Sequence, residues 1–305
     1  MINIIGNRFK FFAISGLLVI GCVIALVVFG LKPGIEFSSG SLMVVRFSEQ
    51  TVSVDDLRAE LSNLGYPGAI IQTTGSGDFQ IRTATLTNDD RMGLRQSLAN
   101  RFGDCSEEGF TSIEPTVSRQ TVRTVIIAVA LAALGIVLYV TFAFRKMPSP
   151  FRYGVCGIIA MIFDVIMVIG IFAFIARLLN WEINLMFVTG LLAVVGYSIN
   201  DKIVIFDRIR EHTRRSGVTD FAALVNRSLV ETLTRSLITS ISTLITVIAL
   251  MLFVGSTITN FLVVLGVGII AGTFSSILIA APLLVVWQNG EWYRFLPWLK
   301  GPVES

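Results

Sequence analysis

The chain has 305 residues, of which 53% are hydrophobic and only 15% charged, and its mean hydropathy is +0.76. That balance is too apolar and too poor in charge for an ordinary soluble domain and points to a membrane class. The net charge of +3 hides a split: residues 32–122 hold eight basic and twelve acidic side chains, and the basic excess lies in loops flanking apolar runs, without the aromatic-interleaved patch that would suggest nucleic-acid binding.

The first apolar run, 11–31, follows Arg8 and Lys10. It is longer than the apolar core of a signal peptide and is closed by no small-x-small cleavage signal, so it reads as a retained helix. Further runs at 124–144, 153–176, 183–206, 236–254 and 261–286 are each long enough to cross a hydrocarbon core of about 30 Å. With an inner N-terminus, segments 1–10, 145–152, 207–235 and 287–305 face the cytoplasm and together carry thirteen Lys or Arg, whereas the two short outer loops carry only Arg177. This is the positive-inside pattern, and an even number of spans returns the C-terminus to the cytoplasm.

Residues 32–122, between the first and second spans, have the composition of a small soluble domain outside the cytoplasm. The pattern predicts strand 42–47, helix 54–64, strand 69–74, strand 79–84, helix 89–102 and strand 110–117. That order, βαββαβ, is a ferredoxin-like α+β arrangement. Ser53 ahead of Asp55 and Asp56, and Asn88 ahead of Asp89 and Asp90, read as N-caps followed by dipole-compatible acids. The segment has no histidine and spreads its acids over solvated helix faces, so it holds no catalytic set. The expected division is therefore 1–31 (N-terminus and first span), 32–122 (periplasmic domain), 123–286 (five-helix bundle) and 287–305 (cytoplasmic tail).

Within the membrane part, the loop Asp207–Glu231 suits a short amphipathic helix at the headgroup level, and Trp287, Trp292, Tyr293 and Trp298 suit an interfacial belt. Cys22 and Cys156 lie in spans and Cys105 stands alone outside, which leaves no disulfide framework. No phosphate-binding loop and no HExxH motif occurs, and the single histidine, His212, sits in a charged loop. ATPase, metalloprotease, cofactor and metal chemistry therefore lack their parts. Gly268, Gly272 and Ser276, at four-residue steps within the last span, make a face for close helix packing.

Two carboxylates lie inside spans. An ionised side chain near the bilayer centre costs about 2.5–3.5 kcal/mol on insertion scales, so each needs a role or a partner. Asp164 lies about 16 Å of helix from the cytoplasmic start of the third span, on a face with Gly157 and Ala160. Asp201 lies about 9 Å inside the cytoplasmic end of the fourth span, and Arg235 stands at the entrance of the fifth, making the two candidate ion-pair partners. Arg235, Thr239, Ser242, Thr243 and Thr246 form a polar stripe at helical spacing. Carboxylates beside a wettable stripe and a mobile arginine have the components of a proton relay. A static ion pair, with hydroxyls bonded back to their own helix, explains the same residues. Lys202 either snorkels to the interface or competes for a carboxylate.

Residues 196–211 (GYSINDKIVIFDRIRE), 228–285 (beginning SLVETLTRSLITS and running through GVGIIAGTFSSILIAAPLL) and 34–47 (GIEFSSGSLMVVRF) resemble the SecF family of bacterial protein export, and the likeness covers nearly the whole chain. The resemblance implies pairing with SecD, association with the SecYEG channel and with YidC and YajC, and use of the proton-motive force for a step of preprotein translocation after the one driven by SecA. It implies proton transport at Asp201 and Arg235, which fall on the family's NDT-type and LSRT-type motifs, with Asp164 as the family's third-span carboxylate. Two positions depart from the pattern: Lys202 replaces a small hydroxyl residue, and Ser39 replaces a glycine. A proton-coupled exporter of lipids or small molecules of the wider RND group, and a scaffold that stabilises a partner, are the alternatives.

Overall fold

The structure is a computed structural model and describes residues 3–48, 52–73, 77–145, 150–215, 220–253 and 258–294. Six of its helices are long and apolar enough to cross a membrane. They are α1 (Arg8–Phe29), α5 (Pro115–Phe144), α6 (Pro150–Leu179), α7 (Leu185–Arg215), α8 (Phe221–Phe253) and a composite last span. The last span joins α9 (Thr259–Ser275), a π turn (Ser276–Ala280) and α10 (Ala281–Asn289). Pro282 lies in the first turn of α10, where it lacks an N–H to donate and its ring crowds the carbonyl four residues back; the wider π turn sits where that conflict falls.

All six lie on the apolar runs of the sequence, but several outrun them. The loop Asp207–Glu231 is not a separate amphipathic helix: α7 continues to Arg215 and α8 already begins at Phe221. Charge pairing between the two helices allows this. Glu231 accepts from Arg208 Nη2 at 2.5 Å, from Arg227 Nε at 3.0 Å and sits 2.9 Å from His212 Nε2, so both helices carry their charges beyond the apolar layer in a shared cluster. Trp287 and Trp292 stack edge to face 5.7 Å apart beside the last span, while Trp298 of the expected belt lies outside the described residues.

Cα neighbourhoods divide the chain into two units. The first comprises 1–31, 129–179 and 186–305. Its core runs from Ile4 and Ile5 through Val140, Tyr153, Cys156 and Ala160 to Phe206, Ile209, Val225, Leu229 and Leu284. At one end of this unit Arg8 grips Glu291 through Nε at 3.0 Å, Asn226 Oδ1 accepts from the Ile4 N–H at 2.8 Å, and Arg152 donates to Gln288 Oε1 at 2.5 Å.

The second unit comprises 32–128 and 180–185. It holds a short helix α2 (Ile35–Ser38), β1 (Gly40–Phe47), α3 (Val54–Asn63), β2 (Ile70–Thr73), β3 (Phe79–Thr83), α4 (Asn88–Phe102) and β4 (Cys105–Ile113). The four strands form one antiparallel sheet in the order β2-β3-β1-β4, with Met43 opposite Ile81 and Phe110. Alternate residues Met43, Val45 and Phe47 of β1 point to one face, where they pack with Ile81, Leu57 and Leu61 of α3 and Leu94 and Leu98 of α4. Ser53 caps α3 as expected, but α4 is capped by Thr87, not Asn88: Thr87 and Asp90 form a reciprocal capping box one residue earlier. The last strand ends at Ile113 because Pro115 starts α5, where its missing N–H costs nothing. The segment 180–185 belongs to this unit through a bridge of Ile183 to Pro33 and through Arg82, which donates to Glu182 Oε1 at 2.8 Å.

Candidate functional site

The site is built where α6, α7, α8 and α9 meet, and small residues bring the helices together. A Cβ on Gly268 of α9 would lie 2.0 Å from Val194 Cγ2 of α7, and one on Gly272 would lie 3.4 Å from Ser198 Cα. The face of Gly268 and Gly272 is thus a close-packing face against α7, and Ser276 is buried and donates back to the Gly272 carbonyl. On α6, buried Cys156, Gly157 and Ala160 precede Asp164 on the core side.

Asp164 is wholly buried and does not stand alone. Lys202 of α7, also 0% exposed, donates from Nζ to Asp164 Oδ2 at 2.7 Å. The same ammonium donates to Ser198 Oγ at 2.5 Å and to Ser275 Oγ of α9 at 3.0 Å, while the Ser198 hydroxyl donates to Asp164 Oδ2. Ser198 and Lys202 are four residues apart and so share one face of α7. Of the two fates open to Lys202, the structure realises the inward one: the lysine competes for a carboxylate, and that carboxylate is Asp164. A cation and an anion this deeply buried are tolerable only as a pair, and here the ammonium has its three protons engaged while Asp164 keeps one oxygen open.

Asp201 is half-buried and faces α8. Its partner is Ser236, whose Oγ donates to Oδ1 at 2.5 Å, and not Arg235. The Arg235 side chain is exposed and has no ion-pair or hydrogen-bond partner among the described residues. The two residues are neighbours on α8, about 100° apart around the helix, so only one of them can face Asp201 at a time. Two buried side-chain oxygens accept no hydrogen bond from the described residues, Asp164 Oδ1 and Asp201 Oδ2.

The expected hydroxyl stripe is also resolved. Thr239, Thr243 and Thr246 donate to the carbonyls of Arg235, Thr239 and Ser242, each four residues back, and lie on the exposed side of α8. The buried hydroxyl row is a different one, Ser228, Thr232, Ser236 and Ser240, also at four-residue steps. From it Ser240 reaches across to Thr273 Oγ1 of α9 at 2.6 Å and accepts from Tyr197 OH of α7 at 3.1 Å. Sequence reading missed Ser198, Ser236 and Ser275. The available signals were the Ser198/Lys202 spacing and the cost of an unpaired lysine in an apolar run.

Residues 94–290 match the family model for the protein export membrane protein SecD/SecF, C-terminal region, and residues 24–51 match that for the SecD/SecF GG motif. The chain is 42% identical to the protein translocase subunit SecF of Thermobaculum terrenum, and 41% identical to that of Anaerolinea thermophila, in each case over 96% of both chains. Its fold is similar to the crystal structure of SecDF, a translocon-associated membrane protein, from Thermus thermophilus, with a TM-score of 0.83 and 32% identity. That match covers 94% of this chain and 39% of the longer SecDF chain.

Proposed function

We propose proton-driven assistance to protein export, on the premise that this chain belongs to the SecF family of Sec protein translocase subunits. In this reading it works beside a SecD-type partner at the SecYEG channel, with YidC and YajC as accessory partners, after the step driven by SecA. Residues 32–122 form a ferredoxin-like domain outside the cytoplasm, 123–286 a five-helix bundle and 287–305 a tail that returns, like the N-terminus, to the cytoplasm. The sheet order β2-β3-β1-β4 supports the first assignment. The orientation is supported by the excess of Lys and Arg at one set of helix ends.

The observation that carries the proposal is the pair of intramembrane carboxylates, each with one buried oxygen that accepts no hydrogen bond from the described residues. Such an oxygen can take a proton without first giving up a donor. Asp201 then works as a two-position switch. Protonated, it is satisfied by the Ser236 hydroxyl; ionised, it attracts Arg235, and a rotation of α8 by about one residue step exchanges the two. Each proton crossing 100 mV supplies about 2.3 kcal/mol for such a repacking. No covalent step is needed, and the role is one of transport.

The test is preprotein export into vesicles containing this chain, its SecD-type partner and the channel, with the proton gradient imposed or collapsed. Asp201→Asn and Arg235→Ala are expected to abolish the part of export that depends on the gradient. Full gradient-dependent export by both variants would overturn the assignment.

A further inference from the structure

The relay just described leaves one buried charge without a task. Among the described residues Lys202 is the one fully buried lysine or arginine. Its three ammonium protons find Asp164 Oδ2, Ser198 Oγ and Ser275 Oγ. It is also the residue next to Asp201 on α7, and Asp164 and Asp201 each keep a buried oxygen with no donor among the described residues. One cation is thus paired with one of two carboxylates, each of which keeps an oxygen able to accept from it.

Counting charge decides what this arrangement can do. With both carboxylates ionised the triad Asp164, Lys202 and Asp201 carries one net negative charge, and a single proton makes it neutral. Without the lysine, the same two carboxylates would need two protons to reach neutrality in a medium that strongly disfavours net charge. Apart from the charged side chains toward the helix ends (Arg8 and Lys10 of α1, Arg152 and Arg177 of α6, those of 207–215 on α7, and Arg227 and Glu231 of α8), the other titratable groups on the helices packed around the triad are Cys22 of α1, Cys156 and Tyr153 of α6, Tyr197 of α7 and Arg235 of α8, and α9 and α10 contribute none. Of this second set only Arg235 is charged at neutral pH, and it is turned outward.

We propose that Lys202 is a positioning residue shared by the two carboxylates, a counter-ion that changes sides when the triad takes up its proton. An O–H bond forms at Asp164 Oδ1, with the proton supplied from the energised side of the membrane. The charge that held Nζ is thereby removed, and the ammonium, keeping its three protons, turns to Asp201 Oδ2. In turning it leaves Ser275, the last residue of α9 before the π turn, at the point where the last span is already released from regular α-helical bonding. Proton uptake is thus linked to the hold of α9 on α7. This inference rests on the proton-coupled reading above and deepens it.

A fixed brace would use the same contacts, so the test must read protonation directly. In the complex with its SecD-type partner, infrared difference spectra are recorded against pH, and the protonated-carboxyl band deleted by Asp164→Asn is followed. In the wild-type chain that band grows as pH falls. In Lys202→Met it is expected to appear at higher pH than in wild type, as loss of a mobile or a fixed cation would both give. The deciding variant is Asp201→Asn, in which the band is expected to need stronger acid because the displaced ammonium then has no anion to receive it. Lys202→Met is expected to lower gradient-dependent export about tenfold or more, with Lys202→Arg falling between it and wild type. Should Lys202→Met fail to fold, the Asp201→Asn spectrum still decides. A band that keeps its wild-type pH course in Asp201→Asn would overturn the proposal and leave Lys202 a brace. Loss of gradient dependence in the wild-type complex would instead overturn the export reading, with the infrared titration still able to judge the triad.

Discussion

At the scale of single residues, the departure at Ser39 has a measurable consequence. Ser39 adopts φ 61° and ψ 170°, a region open to glycine and strained for any residue with a Cβ. The strain persists because its neighbours fix the turn: Gly40 follows at φ 123°, where a Cβ would lie 2.6 Å from the Thr83 carbonyl oxygen, and Arg82 donates to Ser38 Oγ. Ser39→Gly is therefore expected to stabilise the full chain by about 1 kcal/mol, read as a higher midpoint of thermal unfolding in detergent. Gly40→Ala should lower the same midpoint, since its Cβ meets main chain that cannot turn away.

Lys202 and its partners belong to the same scale and indicate what a sequence can and cannot disclose. Asp164, Asp201 and Lys202 were legible as costly charges because hydrocarbon imposes the cost whatever the packing. Their pairing was not. Adjacent spans made Arg235 the natural partner of Asp201, but a rotation of 100° separates Arg235 from Ser236, and hydrophobic periodicity does not resolve it. Both four-residue rows on α8, the exposed one through Arg235, Thr239 and Thr243 and the buried one through Ser228, Thr232, Ser236 and Ser240, carry hydroxyls. Composition favoured the row with the arginine, whereas packing on α9 selected the other.

At the scale of elements, the cap of α4 gives a pH prediction with a defined sign. The Thr87 hydroxyl donates to Asp90 Oδ2 at 2.7 Å and the Thr87 N–H at 3.1 Å, and these bonds hold the Asp90 carboxyl below the usual carboxylate range. A carboxyl whose folded value is depressed contributes stability that is present above its unfolded value, about 3.9, and is lost as pH falls through the lower folded value. Thr87→Ala should cost about 1 kcal/mol near neutral pH through the lost cap. It should also flatten the acid side of the stability curve, as measured by unfolding midpoints between pH 6 and pH 3. The sequence placed this cap at Asn88 because Asn and Thr are both good caps; what decides between them is that only Thr87 lies three residues from Asp90.

Helix contacts allow a second element-scale prediction. A Cβ on Gly170 of α6 would lie 2.3 Å from Cys22 Cβ of α1, so that approach depends on the missing side chain. Gly170→Ala should push α1 off α6, costing about 1–3 kcal/mol. Cys22, which is buried here, should then react faster with a small membrane-permeant thiol reagent. Unchanged Cys22 reactivity would mean that α1 leans on α6 less closely than the backbone distance requires.

At the scale of the whole molecule, the segments that six spans would leave on one side are bonded to one another. The segment after the first span and the segment after the third come together in one unit, tied by Ile183 to Pro33 and Arg82 to Glu182. The start of α1 is joined to the residues after the last span by Arg8 and Glu291, and to α8 by Asn226. Each group is bonded within itself, as six uninterrupted spans predict for segments that share a side. In the orientation proposed from the Lys and Arg excess, the second group faces the cytoplasm. Single cysteines on a Cys22→Ser, Cys105→Ser, Cys156→Ser background test that assignment. Asp89→Cys, on the exposed first turn of α4, should be labelled by a membrane-impermeant maleimide added outside intact spheroplasts, and Arg214→Cys, near the end of α7, only after the membrane is opened. Labelling in the reverse order would invert the topology and, with it, the side from which the proposed relay would draw protons to Asp164 and Asp201.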